Sequence, residues 1–335
     1  MTEQLEESNK IHRTEDMALN LGAKTLHEGR RSSYNEIDRY IGQFIDAGTG
    51  LLKAGLLEYR DCPVCGADDS IQMFIKRGGT YVKCARCGMC YLNPVFRDNE
   101  LKSYYQGLHC VMADTVQSES EFSRRMYNKG LELIANWQTS GQLLDIGCSA
   151  GFFMDVAQER GWQTQGIELN RSEAAQARDK GHQVENVPIG ETSFNVRFNA
   201  ITLWDVFEHI KDGASYLGGL KNHLADDGVV FLQIPNSEAL APRIMHEKCN
   251  MFDGVEHVNL YTPDTIRTVA EKSGYRIHEL QTVISEIPVI NNYLSYEHPY
   301  FGNATHRSTL LGVIDEQFIH ANLLGYKMQL VLRPL

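Results

Sequence analysis

This chain has 335 residues, of which 42% are hydrophobic and 22% are charged, and its formal net charge is -11. The length accommodates two domains, or one α/β domain with appendages, and the composition is that of a globular protein. The acidic balance opposes a nucleic acid as the main substrate, because a phosphate backbone repels negative charge.

Two features bear on the cellular compartment. No apolar run approaches the length of a membrane helix, and the stretch MTEQLEESNK lacks the basic and apolar regions of a signal peptide. We therefore expect a cytoplasmic protein without a membrane span. In that compartment, cysteines that are paired as C-x-x-C predict metal binding rather than disulfides.

Residues 1–60 are predicted to be an N-terminal helical segment, with the first few residues disordered. Apolar residues at helical spacing predict one amphipathic helix: Ile37, Tyr40, Ile41, Phe44 and Ile45. Leucines predict a second helix from Leu51 to Tyr59. We expect this segment to cap the domains behind it. The alternative is a dimerisation or lid element, and a dimerisation element would imply a homodimer.

Residues 61–105 carry two C-x-x-C-G knuckles, Cys62–Gly66 and Cys84–Gly88. The segment between them has strand character, and Arg77-Gly78-Gly79 supplies a hairpin turn. This pattern predicts a zinc ribbon in which four thiolates close a tetrahedral site: Cys62, Cys65, Cys84 and Cys87. Four protein ligands leave no position for water, so we expect a structural zinc and not a catalytic one.

Residues 106–335 are predicted to form the catalytic domain. A linker is expected near Gln106 to Ser118, followed by a helix from Ser120 to Trp137. Next comes QLLDIGCSAGFF, Gln142 to Phe153, which predicts a buried strand, a tight turn and a helix start. The glycines allow a sharp bend and a close approach of a ligand. Residues of this stretch are candidates for cofactor binding: Asp145, Gly147, Cys148, Ser149 and Gly151.

The glycine pattern also excludes two cofactor classes. A phosphate-binding loop would end in Gly-Lys-Ser/Thr, and a dinucleotide fingerprint would read G-x-G-x-x-G. The next strand, within WQTQGIELN, ends at Glu168, about twenty residues beyond the turn, where an acid accepts hydrogen bonds from ribose hydroxyls. Leu169 follows it. The loop from Glu185 to Glu191, which includes Val187, is expected to border an adenine.

A fourth strand, Phe198 to Leu203, is followed by the hexapeptide Trp204 to His209. Ligands of open α/β sheets bind outside the carboxyl ends of the strands, so this hexapeptide should face the reacting group. Trp204 and Asp205 are therefore predicted to contact the cofactor. Glu208 and His209 are candidate catalytic residues, and His257, on the loop VEHVNLY, is another.

The remaining elements continue the alternation of strands and helices. VVFLQIPN is predicted to be a fifth strand and YRIHELQTV a sixth, with a helix that opens at Thr262-Pro263-Asp264 between them. MQLVL is expected to be a seventh, antiparallel strand. An insertion from Ser295 to Leu324, with a helix around Thr309 to Leu323, should form a helical lid.

These motifs resemble those of the class I S-adenosylmethionine (SAM) methyltransferases. DIGCSAG resembles their motif I, hh-D-h-G-x-G-x-G, with Ser149 at the position of the middle glycine. LWDVFEHI and EHVNLYTPDTIRTVAEKSGY are similar to the methyltransferase 23 family, which includes ubiquinone-type O-methyltransferases. CPVCG…CARCGMCYLNP resembles the ribbon that precedes such domains in sugar and cell-surface polysaccharide gene clusters. The resemblance implies a Rossmann-like seven-stranded sheet in the order 3-2-1-4-5-7-6.

The resemblance predicts transfer of a methyl group from SAM to a small molecule. An acceptor hydroxyl must lose a proton, and histidine is the usual base near neutral pH. Either His209 or His257 suits that role, with Glu208 to orient one of them or to help hold a divalent ion. Sugar C-methyltransferases with a similar ribbon carry a further C-terminal domain. This chain ends too soon for such a domain and so departs from that subgroup. The departure favours O- or N-methylation of a sugar, a nucleotide sugar or another cell-surface or secondary metabolite.

Two other functions remain as alternatives. The ribbon would dock RNA or protein in a macromolecular methyltransferase, although the acidic charge opposes this. A scaffold without catalysis is the non-enzyme alternative, which the intact Asp145, Gly147, Gly151 and Glu168 oppose.

Overall fold

The computed structural model describes residues 31–112, 121–306, 311 and 314–335. Their α-helices are α1 (Arg31–Gly42), α2 (Asp98–Met112), α3 (Glu121–Ala135), α4 (Phe152–Glu159), α5 (Arg171–Asp179), α6 (Gly213–Gly219), α7 (Leu240–Met245), α8 (Pro263–Lys272), α9 (Ile287–Leu294) and α10 (Glu316–Ala321). Their strands are β1 (Leu57–Glu58), β2 (Ser70–Lys76), β3 (Gly79–Cys84), β4 (Cys90–Leu92), β5 (Val95–Phe96), β6 (Gly141–Ile146), β7 (Trp162–Ile167), β8 (Gln183–Glu185), β9 (Phe198–Trp204), β10 (Leu224–Pro235), β11 (Asn259–Leu260), β12 (Tyr275–Val283) and β13 (Lys327–Pro334).

The main sheet has seven strands in the order β12-β13-β10-β9-β6-β7-β8. Strands β6 to β10 pair in parallel, and β13 runs antiparallel to both β10 and β12. Numbered along the chain from β6, the order is 3-2-1-4-5-7-6. The predicted Rossmann-like α/β fold, its strand order and its antiparallel last strand are therefore confirmed.

Both faces of this sheet are buried, as a parallel sheet requires. On β6, Leu143 packs with residues of α3 and α4, whereas the next residue, Leu144, packs on the opposite face with residues of α6 and α8. Successive side chains of a strand point to opposite faces, which explains why the strand reads as a continuous apolar run. The glycine turn between β6 and α4 is thus held by a fully packed layer on either side.

The first part of the predicted ribbon is a hairpin of β2 and β3. Its two turn residues, Arg77 and Gly78, have φ angles of 47° and 82°, as in the turn type that matches strand twist in two-residue hairpins. The ribbon sheet has four strands in the order β11-β4-β3-β2, so a strand from residues 259–260 joins it. The ribbon also shares an apolar cluster with the main sheet, to which Val64, Val82 and Tyr91 contribute.

Two local predictions are wrong. Leu51–Tyr59 is not a helix: Leu52 forms a bridge with Ile45, a short 3-10 turn follows at Ala54–Leu56, and β1 comes next. In the described part of the helix predicted around Thr309 to Leu323, α10 begins only at Glu316, where Asp315 accepts a hydrogen bond from the Phe318 amide. Residues 309, 310, 312 and 313 of that prediction lie outside the described residues. The connection between β12 and β13 also contains α9, which precedes the predicted insertion.

Some predictions fall partly on residues that the structure does not describe. The N-terminal disorder lies outside the described residues, as does the end of the linker, whose start at Gln106 lies inside α2. The predicted boundaries of the domains stay predictions. Within the described part of the chain, no helix has the length and apolar character needed to cross a membrane.

Candidate active site

The turn between β6 and α4 alternates in backbone conformation. Gly147, Ser149 and Gly151 have φ angles of 74°, 49° and 82°. Side chains other than glycine rarely adopt this left-handed region, because Cβ approaches the following carbonyl oxygen. All three residues thus adopt the left-handed conformation. Ser149, which stands where motif I usually has glycine, does so with some backbone strain.

The two glycines of this turn face packed side chains. A Cβ on Gly147 would lie 2.4 Å from Cγ2 of Val206, and one on Gly151 would lie 2.6 Å from Cδ2 of His182. We expected glycine here to make room for a ligand. The structure adds a second reason, since Gly147 allows the segment after β9 to pack directly on the turn.

Glu168 lies at the end of β7 and joins two backbone segments. Its carboxylate accepts hydrogen bonds from the amide of Ser149, at 2.9 Å, and from that of Asn170, at 2.7 Å. Burial, with Glu173 nearby, raises the pKa of Glu168 to about 7, although these amides lower it. An acid beside the glycine turn is where the sequence predicted a ribose acceptor. Next to it, Leu169 exposes 57% of its surface, and Val187 is half-buried.

Two predicted cofactor residues have buried side chains. Asp145 accepts a hydrogen bond of 2.7 Å from Thr202, and burial raises its pKa to about 8. Cys148 packs beside Gly166, where a Cβ would lie 2.5 Å from its Sγ. Both side chains are therefore packed inside the protein, where they support the turn.

Trp204 and Asp205 differ in their surroundings. The indole of Trp204 packs, with ring centroids 4.6–5.1 Å apart, against three aromatic rings: Tyr127, Phe153 and Phe231. Asp205 has a φ of 55° and accepts hydrogen bonds from Gln233, at 3.2 Å, and from the ammonium group of Lys327. Sequence reasoning missed Lys327, which lies at the start of the last strand with no motif around it.

The three candidate catalytic residues lie together. Their ligating atoms are all within 4.8 Å of one another in the cluster Glu208, His209 and His257. The two imidazoles meet edge to face, with ring centroids 4.9 Å apart. Both carboxylate oxygens of Glu208 are buried and have no hydrogen-bond partner among the described residues. A buried acid of this kind calls for a partner such as a proton, water or ion. Two histidines and one carboxylate also form a ligand set that suits a divalent metal.

The surroundings of the two histidines shift their pKa values in opposite directions. Burial, with His257 beside it, lowers the pKa of His209 to about 4. Burial also lowers the pKa of His257, but Asp253 and Glu208 outweigh this and raise it above its ordinary value. Burial, with Asp205 nearby, raises the pKa of Glu208 to about 8.

Hydrogen bonds orient both rings. Nδ1 of His257 lies 2.7 Å from the carbonyl oxygen of Met251, which can only accept, so Nδ1 carries a proton and Nε2 keeps its lone pair when the ring is neutral. Nδ1 of His209 lies 3.2 Å from the hydroxyl of Tyr105 on α2. This tautomer leaves Nε2 of His257 able to accept a proton.

Sequence reasoning missed several neighbours of this cluster. Tyr105 comes from α2, which was expected only to lead out of the ribbon. Asp253 accepts hydrogen bonds from the amides of Val255, Glu256 and His257, and so shapes the loop that carries His257. Glu256 accepts a hydrogen bond of 3.1 Å from Tyr104. The two acids of DGVEH are the signal that could have indicated them.

The four knuckle cysteines form a second cluster. Their sulfur atoms lie within 4.8 Å of one another, and the pairs Cys62–Cys87 and Cys65–Cys84 are 3.5 Å apart. Gly66 and Gly88 have φ angles of 72° and 75°, so each knuckle turns back on its first cysteine. Although burial raises it, amide hydrogen bonds lower the pKa of Cys84 to about 7. The donor set and the spacing fit a tetrahedral zinc ion.

Comparison with known proteins identifies the domain. The family model described as a methyltransferase domain, methyltransferase 23, matches residues 118–280, which hold the glycine turn, Glu168 and the hexapeptide. This match agrees with the strand order of the main sheet. The chain carries a class I SAM-dependent methyltransferase domain.

Curated relatives of this chain are methyltransferases. The C-methyltransferase NovU of Streptomyces niveus is 25% identical over 255 residues, covering 66% of this chain and 57% of that protein. The malonyl-[acyl-carrier protein] O-methyltransferase of Serratia marcescens is 28% identical over 149 residues, covering 42% and 55%. The chain thus spans just over half the length of these two relatives.

A solved structure is also similar to this chain. The magnesium protoporphyrin IX methyltransferase of Synechocystis PCC 6803 with bound SAH aligns with a TM-score of 0.45 and 11% sequence identity. The alignment covers 70% of this chain and 98% of that one.

Proposed function

We propose that this protein transfers the methyl group of SAM to a small-molecule acceptor, whose attacking atom is a hydroxyl oxygen that must lose a proton. One observation carries the proposal. The segment from Trp204 to His209 packs on the glycine turn through Val206 and, two residues later, supplies Glu208 and His209 to the buried cluster. This continuity supports a single site that contains both the expected cofactor turn and the titratable groups.

Residues of the chain fit the binding of SAM. Glu168 would accept the ribose hydroxyls, and the turn from Gly147 to Gly151 offers backbone amides at the start of α4. Bound SAM supplies an electrophilic methyl group on a sulfonium. Trp204 and its aromatic neighbours exclude water from one side of this region, and Asp205 is fixed by Lys327.

His257 is the proposed general base. An efficient base has a pKa near the working pH, because a much weaker base removes a proton poorly. The pKa of His257 is raised, whereas that of His209 is lowered to about 4. From the sequence, His209 was the first candidate for the base. These shifts move the preference to His257 and leave His209 to contact the acceptor or to orient it.

A cavity borders the loop ahead of His257, although none of Glu208, His209 and His257 lines it. Its charged lining favours an acceptor with an anionic group, such as a nucleotide sugar. The cavity has a volume of about 900 Å³ and is lined by Asn250, the neighbour of the Met251 carbonyl that binds His257. Its charged lining residues are Lys76, Arg77, Lys248, Asp38 and Glu297. Arg77 pairs with Asp38, at 2.6 Å. Burial lowers the pKa of Lys76, and the nearby charges of Arg77 and Lys248 add to this effect.

C-methylation is the second candidate. It is favoured by NovU, named a C-methyltransferase, which matches 66% of this chain. A carbon acceptor next to a carbonyl must also lose a proton, so the same base would serve. The two reactions differ in the product, in which the new methyl group is attached to oxygen or to carbon.

We also propose a structural zinc ion in the ribbon, held by Cys62, Cys65, Cys84 and Cys87. Four thiolates complete its coordination, so it would stabilise the fold and take no part in the chemistry. Such thiolates persist in the reducing cytoplasm, where we place the protein.

The test begins with calorimetry of SAM binding to the purified protein. A panel of nucleotide sugars is then incubated with methyl-labelled SAM, with and without EDTA, and NMR of the product assigns the methylated atom. Turnover that EDTA does not affect supports the base mechanism without a metal. SAM binding without turnover of any small molecule would favour the scaffold, and labelling of RNA or protein instead would overturn the proposed acceptor class.

A further inference from the structure

The loop that carries His257 is built into the ribbon sheet. Directly after His257, Val258 accepts a hydrogen bond of 3.0 Å from the amide of Leu92, and β11 pairs with β4. Arg60, ahead of the first knuckle, donates to the carbonyl of Val258 at 2.6 Å. The backbone on the carboxyl side of His257 is therefore fixed by the ribbon rather than by the main sheet.

The backbone on the amino side of His257 is fixed by the hairpin of the ribbon. A Cβ on Gly79 would lie 1.8 Å from the carbonyl oxygen of Gly254, and a Cβ on Gly254 would lie 2.1 Å from that of Lys76. The two backbones touch, with no room for a side chain at either glycine. Gly254 also has a φ of 91°, which favours glycine by itself.

Tyr81, on β3, joins these two contacts. Its hydroxyl donates to the carbonyl of His257, at 3.2 Å, and accepts from the amide of Gly254, at 3.3 Å. The side chain is fully buried, and its ring packs against Phe252 and Phe74 with centroids 5.0 and 5.7 Å away. Without the hydroxyl, a buried donor and a buried acceptor of the same loop would lose their partner.

We propose that Tyr81 is a positioning residue for His257, and that the ribbon is thereby part of the catalytic apparatus rather than an appended docking module. This inference rests on the proposed role of His257 as the base. Tyr81 acts through the backbone of His257, to whose carbonyl it donates a hydrogen bond. In the sequence, Tyr81 lies three residues ahead of the ribbon cysteine Cys84.

The test is Tyr81→Phe, which removes one oxygen atom and keeps the ring. Its matched control is Tyr275→Phe, since Tyr275 is equally buried and its hydroxyl has no hydrogen-bond partner among the described residues. We expect Tyr81→Phe to lower kcat by roughly ten- to a hundred-fold, as for a misplaced base, with the Kd for SAM unchanged. Tyr275→Phe should keep the native kcat. A native kcat for folded Tyr81→Phe would overturn the proposal.

Histidine NMR separates positioning from a loss of stability. The Nδ1 proton of His257 should exchange faster in Tyr81→Phe, because its contact with Met251 loosens, and the pKa of His257 should fall as the ring moves away from Asp253. The titratable groups that face His257 are Asp253, Glu208, Glu256 and His209. An unchanged ring signal in a variant that is merely less heat-stable would show a structural role only.

The same readout distinguishes failure of this inference from failure of the proposed function. If His257→Ala keeps the full rate, the base assignment is wrong, and the ring signal of Tyr81→Phe alone then decides whether Tyr81 positions the loop. If His257→Ala is inactive and Tyr81→Phe is native in both readouts, the base assignment stands and the positioning role fails.

Discussion

His209 and His257 lie with ring centroids 4.9 Å apart, yet only one of them keeps a pKa suited to proton transfer near neutrality. Burial disfavours the charged form of both rings. The negative charges of Asp253 and Glu208 outweigh burial at His257 and raise its pKa. At His209, the positive charge that His257 can carry disfavours the protonated form further. The surroundings thus favour the neutral form of His209 and the protonated form of His257.

The pH dependence of the rate should identify the base. With His257 in that role, kcat/KM rises with pH through an apparent pKa above about 6.5, because the base acts when deprotonated. With His209, whose pKa is about 4, the same profile would be flat between about pH 5.5 and 8. Parallel assays of His209→Ala and His257→Ala check the assignment. We expect kcat of His257→Ala to fall by about two to four orders of magnitude.

Asp253→Asn should move this profile in a defined direction. Despite its burial, the pKa of Asp253 is lowered, chiefly by His257, so it is ionised at neutral pH and raises the pKa of that histidine. Removing its charge lowers the pKa of His257, and the rising limb should shift to lower pH. Asp264→Asn, an exposed acid in the first turn of α8, is the control and should leave the limb in place. A limb that does not move in Asp253→Asn would contradict the electrostatic argument.

Glu168 should decide the affinity for SAM. Glu168→Ala removes a half-buried carboxylate beside the glycine turn, and we expect SAM binding to weaken by roughly 1–3 kcal/mol, the cost of a lost charged hydrogen-bond partner. Glu185→Ala is the control, because Glu185 ends the neighbouring strand β8 with an exposed side chain. Calorimetry measures both. Equal affinities of the two variants and the native protein would remove Glu168 from the cofactor site.

The ribbon should hold one zinc ion per chain. Cys62→Ser and Cys84→Ser remove one thiolate each, so zinc content and melting temperature should fall, because binding of a structural metal stabilises the folded state. Cys90→Ser is the control, since Cys90 is buried next to Met73 and outside the four-sulfur cluster. Metal analysis of protein purified without chelator measures the zinc. No zinc in the native protein would refute this prediction.

Local sequence signals predicted the main sheet well. Strands β6, β9 and β10 each contain an apolar run. The opening of α8 was predicted from Thr262 and Pro263, and Thr262 and Thr265 do form a reciprocal cap. By contrast, the leucines after Leu51 have helical spacing and yet form no helix. Leu52 instead bridges to Ile45, and its amide bonds to the carbonyl of Gly78, a partner that the local pattern does not show.

The candidate site was predicted only where it is local. DIGCSAG, Glu168 and the hexapeptide each carry their signal within a few residues. The contact of Tyr105 with His209 joins positions 104 residues apart, and that of Tyr81 with His257 joins positions 176 apart. Strand β11 has two residues and forms because β4 offers a free edge. Such partners depend on tertiary packing, so no single stretch of sequence reveals them.

Gly147 tests the packing of the cofactor turn. Gly147→Ala puts a Cβ 2.4 Å from Val206 and forces a side chain into the left-handed region at a φ of 74°. We expect the free energy of unfolding to fall by about 1–3 kcal/mol, with a loss of SAM binding, because the segment after β9 must move. Gly161→Ala is the control for backbone strain alone, since Gly161 has a φ of 91° and no atom within 4 Å of its Cβ position.

A double variant separates the clash from the strain at Gly147. Val206→Ala removes the methyl group that the new Cβ would meet, so Gly147→Ala combined with Val206→Ala should be more stable than the sum of the two single changes predicts. The loss in free energy of unfolding that Gly147→Ala still causes in the Val206→Ala background should match the loss caused by Gly161→Ala. Chemical denaturation measures the four variants, and calorimetry with SAM shows whether relief of the clash also restores the pocket. Strict additivity of the two changes would mean that Val206 does not limit this turn, and that backbone strain alone requires the glycine.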